Sequence, residues 1–206
     1  METQVKRRTG LPALAGVLIL LIVAAGMVFI RIPWGFARKV SPSEAEKRLA
    51  VVKAAEAYLG YSEEDGRYRE ILVLYNSHTP LAQGYAVQEG DSWCAAFVSA
   101  VAIQADITDI LPTECSCQRQ IGLFQELGRW EERDGYRPLP GDVIYYCWNH
   151  PPLFGDCTGW ANHVGIVAGT FGPFIKVIEG NKNDRVEYRY ILQSDFRIRG
   201  FGLPEY

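Results

Sequence analysis

The chain has 206 residues, of which 48% are hydrophobic and 22% charged. It therefore has room for one compact domain and a short additional segment, and its composition is that of a folded protein rather than a disordered one. Residues 41–206 contain 15 basic and 23 acidic side chains, a net charge of −8. A nucleic-acid-binding domain normally presents a basic surface, so nucleic acid is not the expected partner.

The beginning of the chain predicts a membrane anchor. Residues 11–30, LPALAGVLILLIVAAGMVFI, hold no charged side chain, and about 20 apolar residues are enough for a helix to cross a bilayer. The segment ends in bulky residues where a cleavable signal peptide would have small ones, which favours an uncleaved anchor. The basic cluster before the segment favours an internal N-terminus. We therefore expect a cytoplasmic tail (1–10), a transmembrane helix (11–30), a linker (31–40) and an extracytoplasmic domain (41–206).

The domain is predicted to begin with a helix. Ser41 is a predicted N-cap, with Pro42 at the first helical position and Glu44 able to complete a capping box. Apolar residues at helical spacing, among them Leu49, follow this start, and Gly60 is the predicted stop. Residues 61–89 mix short apolar runs with turn residues and predict loops with one short helix.

Two further helices are predicted before the pattern changes. One runs from about Ser92 to Ala105 with Asp91 as its N-cap, and its almost entirely apolar sequence is typical of a buried helix. An amphipathic helix is expected from about Gln118 to Trp130. Strand-length runs rich in β-branched and aromatic residues follow: Val143–Trp148, His163–Gly169, Phe174–Gly180 and Val186–Leu192. Helices followed by strands predict an α+β domain with an antiparallel sheet.

Cys94 is the candidate nucleophile. With Asp91 as N-cap it would lie in the first turn of the buried helix, where backbone N–H groups and the positive end of the helix dipole lower the pKa of a thiol. A buried structural cysteine is the alternative interpretation of this position. The choice between the two depends on whether a base lies nearby.

His163 is the candidate base, because it opens an apolar strand at the edge of a loop, where a fixed imidazole can face a cleft. The next apolar run should return antiparallel, so His163 would face either Glu179 or Asn181, all on one side of a hairpin. A carboxylate or amide that accepts the Nδ1 proton would leave Nε2 for Cys94. Gly165 should leave open space on the same face.

Five motifs follow one another along the domain: WCAAFVSA (93–100), PGDVIYY (140–146), NHVGIVAG (162–169), VIEGN (177–181) and IRGFGLPEY (198–206). The set resembles CHAP domains, which belong to the wider NlpC/P60 group of papain-like cysteine hydrolases. The resemblance implies a papain-like α+β fold with N-terminal helices packed on an antiparallel sheet. It implies that Cys94 is the nucleophile and His163 the base. It further implies that Glu179 orients the imidazole and that Asn181 is an accessory polar group.

Four other cysteines accompany Cys94. Cys147 and Cys157 are ten residues apart across a Pro/Gly-rich loop, a spacing that suits a disulfide at the rim of the cleft. Cys115 and Cys117 are too close in sequence for an easy bond to each other, so they would be reduced or pair elsewhere. A zinc site that combines them with Cys147, Cys157 or His150 is a further alternative, although no CxxC pair is present.

Residues around the nucleophile suggest how a substrate would be held. The backbone N–H of Cys94 would form part of an oxyanion hole, with Gln88 or Tyr85 as candidate side-chain donors. Trp160 is a candidate for lining the substrate groove. Trp93 and Tyr145 are aromatic candidates too, but buried packing is the alternative that we favour for both.

The expected function follows from the resemblance. CHAP relatives cleave peptidoglycan as N-acetylmuramoyl-L-alanine amidases or as endopeptidases. The chain is therefore expected to be a peptidoglycan hydrolase, held in a bacterial cell membrane by its N-terminal helix, that needs no metal or cofactor. Two alternatives stay open: a non-catalytic wall-binding module, and an amidase or transferase for a small molecule that uses the same Cys–His dyad.

Overall fold

The structure is a computed structural model that describes residues 39–148, 157 and 159–206. The predicted tail, transmembrane helix and most of the linker lie outside these residues. In the described part, no helix is both long and apolar enough to cross a bilayer. Within the described residues, four α-helices pack on a six-stranded antiparallel sheet, so the predicted α+β class is confirmed.

The helices precede the sheet in the chain. They are α1 (Pro42–Glu56), α2 (Tyr68–Ser77), α3 (Cys94–Gln104) and α4 (Cys117–Glu126), with a short 3-10 turn at Ala82–Gly84. The strands are β1 (Trp130–Glu131), β2 (Val143–Tyr146), β3 (His163–Phe171), β4 (Phe174–Lys182), β5 (Arg185–Leu192) and β6 (Ile198–Gly202). Their order across the sheet is β1-β6-β2-β3-β4-β5.

Helix α1 begins as the sequence predicts. Oγ of Ser41 accepts a hydrogen bond of 3.0 Å from the Glu44 N–H. The Glu44 carboxylate does not return to the cap but accepts a bond from Arg48 one turn later, at 2.8 Å. The helix ends at Glu56, before the predicted stop. Leu49 is 49% exposed, so its assignment to the apolar face was wrong.

Arg48 is the buried polar residue that joins α1 to the rest of the domain. Its Nη1 donates to Oδ1 of Asp142 at 2.8 Å and to the Pro140 carbonyl oxygen at 3.1 Å. Asp142 is fully buried and also accepts from the Leu139 N–H and the Tyr136 hydroxyl. Because a buried charge is costly unless paired and hydrogen-bonded, this cluster fixes the PGD turn that leads into β2.

Helix α3 is the central helix of the fold. Every residue from Cys94 to Ala102 is buried, as its apolar sequence predicts, and the helix packs against α2, β3 and β4. Gly180 of β4 permits this close approach, since a Cβ there would lie 2.5 Å from Cβ of Phe97. The first residue of α3 is thereby held beside the end of β4.

Two predictions near the end of the helical part were wrong. Helix α4 stops at Glu126 rather than at Trp130, and Trp130 lies instead in β1, where it pairs with Gly202 of β6. Strand β6 itself, Ile198–Gly202, was not predicted as a strand. Its two glycines weaken the sequence signal, but both are required, because a Cβ on Gly200 would lie 2.5 Å from the Trp130 ring and a Cβ on Gly202 would clash with the Phe124 ring.

Candidate functional site

The hairpin of β3 and β4 sets the position of the candidate base. Ile166 pairs with Ile178 and Val167 with Val177, so the predicted antiparallel hairpin is confirmed. Continued to the strand ends, this register places His163 level with Asn181, which is one of the two registers expected. The imidazole nevertheless binds Glu179, with 3.0 Å between Nε2 of His163 and Oε2 of Glu179.

Gly165 explains how Glu179 reaches the imidazole. A Cβ on Gly165 would lie 2.8 Å from Cγ of Glu179 and 2.7 Å from Cγ1 of Val177. The space beside the glycine is therefore filled by these side chains and is not the open space that we expected. The absent side chain of Gly165 lets the carboxylate lie across β3 and contact His163.

The nitrogen assignment predicted for His163 was wrong. Glu179 binds Nε2, which leaves Nδ1 as the nitrogen available to Cys94, whereas the sequence-based expectation had the two reversed. The ring of Tyr146 stacks on the imidazole, with 6.1 Å between centroids and 28° between planes. The carboxylate and the aromatic ring together fix the orientation of the base.

Glu179 is fully buried and has a second partner that the sequence did not indicate. Nε of Arg189, on β5, donates to Oε1 of Glu179 at 2.6 Å. Burial raises the pKa of the Glu179 carboxyl, but hydrogen bonds and charges from His163 and Arg189 outweigh burial and hold that pKa below its usual value. The residue is therefore a carboxylate under ordinary conditions and favours a protonated imidazole.

Cys94 is the first residue of α3, although its helix start differs from the prediction. Asp91 is not the N-cap: its Oδ2 accepts bonds of 2.8 Å from the Gln88 N–H and from the Tyr85 hydroxyl. Its carboxylate closes the turn before the helix, and Trp93 occupies the N-cap position without a side-chain capping bond. No side chain of the described residues caps the first N–H groups of α3, so they are available to the Cys94 sulfur, and the Ala95 N–H donates to it.

The sulfur of Cys94 has an unexpected neighbour. Its Sγ lies 3.7 Å from Sγ of Cys117, the first residue of α4. The hydrogen bond from Cys117 lowers the pKa of the Cys94 thiol; burial opposes this, and the hydrogen bond and charge of His163 reinforce it, so that the pKa falls well below its ordinary value. The pKa of Cys117 is raised, first by its bond to Cys94 and then by burial. Cys117 therefore stays protonated and donates to Cys94.

The pKa of His163 is shifted in the opposite direction to that of Cys94. Burial lowers the pKa of the imidazole, but hydrogen bonds and charges from Cys94 and Glu179 raise it to about 9. With the pKa of Cys94 depressed and that of His163 elevated, the favoured state at neutral pH is a thiolate beside an imidazolium. This is the ionisation state in which a cysteine is an effective nucleophile and a histidine can release a proton to a leaving group.

Asn181 lies in the site, and its amide group hydrogen-bonds to residues other than the base. Its Oδ1 accepts the N–H of Trp93 at 3.2 Å, and its Nδ2 donates to Oε1 of Glu63 at 3.3 Å. Glu63 also accepts from Nε1 of Trp93 at 2.9 Å. The three residues hold the backbone directly before Cys94. Glu63 was missed because it lies in the loop-rich stretch that shows no clear pattern.

The other candidate substrate residues, Gln88 and Trp160, are exposed. The Gln88 side chain donates to the Ala86 carbonyl oxygen at 2.7 Å; Trp160 is 54% exposed. Their role in substrate binding stays a prediction. Trp93 and Tyr145 are fully buried, which confirms the packing interpretation that we favoured for both.

The remaining cysteines are Cys147 and Cys157, which are near each other, and Cys115. Sγ of Cys157 lies 3.7 Å from the Cys147 carbonyl oxygen and 3.5 Å from that of Phe196. The structure carries Cys147 and Cys157 as thiols, and the disulfide between them stays a prediction. Cys115 contacts Nε2 of Gln83 at 3.6 Å.

The zinc alternative finds no support in the described part of the chain. Within residues 39–148, 157 and 159–206, no group of three or more His, Cys, Asp or Glu side chains is arranged to hold a metal ion. His150, a ligand considered for such a site, lies outside these residues. Cys117, another of those ligands, is instead the neighbour of Cys94.

The chain was compared with protein-family models, with curated proteins and with solved structures. No match was found in any of the three comparisons.

Proposed function

We propose that the domain is a cysteine hydrolase of the CHAP type that cleaves amide bonds in cell-wall peptidoglycan. The observation that carries this proposal is the hydrogen-bonded series Cys94, His163 and Glu179, in which the pKa of the thiol is depressed and that of the imidazole is raised to about 9. A thiol, a base and a group that orients the base are the parts that nucleophilic acyl transfer requires.

The reaction would proceed in two steps. The Cys94 thiolate attacks the amide carbonyl, and the imidazolium of His163 gives its proton to the leaving amine as the C–N bond breaks. A water molecule, deprotonated by the now neutral imidazole, then hydrolyses the thioester and releases a carboxylic acid. Backbone N–H groups at the start of α3, including that of Cys94, are suited to stabilise the oxyanion. Glu179 keeps the imidazole oriented and supports its positive charge in both steps.

The substrate class is supported by the sequence around this site. The motifs that carry Cys94, His163 and Glu179 resemble CHAP domains, whose members act on peptidoglycan. The predicted anchor at residues 11–30 would hold such a domain next to the cell wall. The net charge of −8 over residues 41–206 disfavours nucleic acid as an alternative polymer.

The proposal is tested by incubating the full chain, in detergent, with purified peptidoglycan and identifying new termini by mass spectrometry. New N-termini within stem or bridge peptides would identify an endopeptidase. Free lactyl groups together with liberated L-alanine amines would identify an amidase. Both products should disappear with Cys94→Ala and persist with Cys115→Ala, a matched control at a neighbouring thiol.

One observation favours a second candidate, an amidase or transferase for a small molecule. Cys94 is only 4% exposed, so a narrow or small substrate reaches it most readily. Absence of products from several wall chemotypes, while Cys94 still reacts with iodoacetamide at neutral pH, would support this candidate. Wall binding that survives Cys94→Ala without any cleavage would point instead to a binding module.

A further inference from the structure

Cys117 is a second thiol in the site, and it takes no covalent part in the hydrolytic mechanism. Acyl transfer needs a nucleophile, a base and an orienting group, and these are supplied by Cys94, His163 and Glu179. Sγ of Cys117 nevertheless lies 3.7 Å from Sγ of Cys94. The two residues are 23 positions apart in sequence, so the fold itself brings the thiols together.

The local structure of both residues favours sulfur chemistry. Each cysteine is the first residue of a helix, α3 for Cys94 and α4 for Cys117. Helix N-termini stabilise thiolates through their free N–H groups and their dipole. A disulfide has an S–S length of about 2.05 Å, so the sulfurs would approach by less than about 2 Å, a movement that rotation about the Cα–Cβ bonds can supply.

Cys115 shows that closeness in sequence does not create this arrangement. It lies two residues before Cys117, yet its sulfur contacts Nε2 of Gln83 at 3.6 Å. Burial raises the pKa of its thiol, and the pKa of the Cys117 thiol is raised too, so pKa alone does not separate the two. Cys115 therefore provides a control of the same residue type in nearly the same position.

We propose that Cys117 is a resolving thiol that forms a reversible disulfide with Cys94 when a hydroperoxide enters the site. The Cys94 thiolate attacks the peroxide, whose O–O bond breaks to give a sulfenic acid at Cys94 and hydroxide or alkoxide. The Cys117 thiol then attacks the sulfenic sulfur, and the S–S bond forms with release of water. A dithiol reductant restores both thiols and is itself oxidised to a disulfide.

The small size of a peroxide and the closeness of Cys117 to Cys94 both favour formation of the disulfide. Cys94 and Cys117 are 4% and 8% exposed, and hydrogen peroxide is smaller than any amide substrate that the site would admit. A sulfenic acid formed at Cys94 has the Cys117 sulfur already in contact, so condensation competes well with a second peroxide. The disulfide would protect the nucleophile from irreversible oxidation to the sulfinic acid. The accompanying loss of hydrolysis rests on the proposed function, but formation of the disulfide does not.

The experiment uses the reduced full chain in detergent. It is treated with a few equivalents of hydrogen peroxide, alkylated with iodoacetamide, digested and analysed by peptide mass spectrometry. We expect a linked peptide pair containing Cys94 and Cys117, a parallel loss of alkylation at both, and recovery of both thiols with dithiothreitol. Cys115→Ser should behave like the wild type. In Cys117→Ser and Cys117→Ala, the same treatment should give sulfinic acid at Cys94 that dithiothreitol does not reverse.

The wild-type protein alone can overturn the proposal. Sulfinic acid at Cys94 without a linked peptide, or a link from Cys94 to Cys115 instead, would refute it without recourse to any variant. Hydrolysis measured on the same samples separates the two proposals. A reversible Cys94–Cys117 disulfide in a protein that cleaves no peptidoglycan in either redox state would support the resolving thiol and refute the proposed hydrolase.

Discussion

Replacing Glu179 by glutamine tests the electrostatic basis of the site. Glutamine keeps the size of the side chain and can still hydrogen-bond to Nε2 of His163, 3.0 Å from the carboxylate in the structure. It removes the negative charge that lies between His163 and Arg189. Because Glu179 is fully buried, solvent does not screen this charge as it would on the surface. The change therefore separates charge from orientation.

The magnitude follows from the pKa of His163. The rise of this pKa from 6.5 to about 9 corresponds to about 3 kcal/mol in favour of the imidazolium. Cys94 and Glu179 together supply this stabilisation, and burial acts against it. If Glu179 provides about half of this stabilisation, Glu179→Gln destabilises the ion pair of Cys94 and His163 by about 1.5 kcal/mol, which is close to a tenfold change in its population. We expect kcat/KM for hydrolysis at neutral pH to fall about tenfold or somewhat more.

The assay is the rate of Cys94 alkylation by iodoacetamide, followed by peptide mass spectrometry from about pH 5 to about pH 10, a range that spans ordinary His and Cys titration. In the wild type, Cys94 should react as a thiolate at neutral pH, below the range in which an ordinary thiol ionises. In Glu179→Gln, the rate at neutral pH should fall, by up to about tenfold, because more of the pair is then a neutral thiol beside a neutral imidazole. The exposed Glu126 on α4 provides the control Glu126→Gln, which should leave the profile unchanged. An unchanged profile in folded Glu179→Gln would refute the reasoning.

Three further predictions use other measurements. Hydrolysis should be active at neutral pH and decline as the pH rises through about 9, where His163 loses its proton, and activity undiminished well above pH 9 would contradict this. The raised pKa of His163 also stabilises the folded state, fully below pH 6.5 and no longer above about 9. Asn181→Ala removes the acceptor for the N–H before the nucleophile and should lower kcat about tenfold with little change in KM; a change in KM alone would contradict a positioning role. Asp142→Ala removes the fully buried one of the two carboxylates that pair with Arg48 and should reduce the free energy of unfolding by about 3 kcal/mol in urea denaturation, whereas Glu89→Ala, at an exposed ion pair, should change it far less.

The sequence predicted the parts of the site that local patterns report. An apolar helix that starts near Cys94 and an apolar strand that starts at His163 are both visible in single segments of the chain. Alternation along the return strand places Glu179 on the same face as His163. The hairpin between these strands is a local structure, and its two strands follow each other directly in the chain. Periodicity and turn residues therefore sufficed for this much of the site.

The missed residues depend on contacts between distant segments. Cys117 reaches Cys94 only because α4 packs beside α3, and Arg189 reaches Glu179 only because β5 joins the far side of β4. Glu63 comes from a stretch without clear periodicity and meets Trp93 through the fold. No single segment carries a signal for such pairs, since the hydrophobic pattern shows which face is buried but not which partner covers it.

Errors at helix ends have a related cause. Asp91 is a good N-cap residue by type, but its carboxylate is used within the preceding turn by Gln88 and Tyr85. Trp130 continues the amphipathic pattern of α4, yet its ring packs over Gly200 of β6 and its backbone enters the sheet. In both cases a competing interaction, outside the window in which propensity is judged, determined the outcome.

The central claim is that Cys94 forms a covalent acyl intermediate with a peptidoglycan amide. The most direct measurement is cleavage of soluble peptidoglycan fragments in the presence of hydroxylamine, with the products identified by mass spectrometry. A thioester at Cys94 would partition between water and hydroxylamine, so a hydroxamate should appear beside the carboxylic acid, and neither should form with Cys94→Ala. Cleavage that yields only the carboxylic acid, or that persists in Cys94→Ala, would contradict the claim.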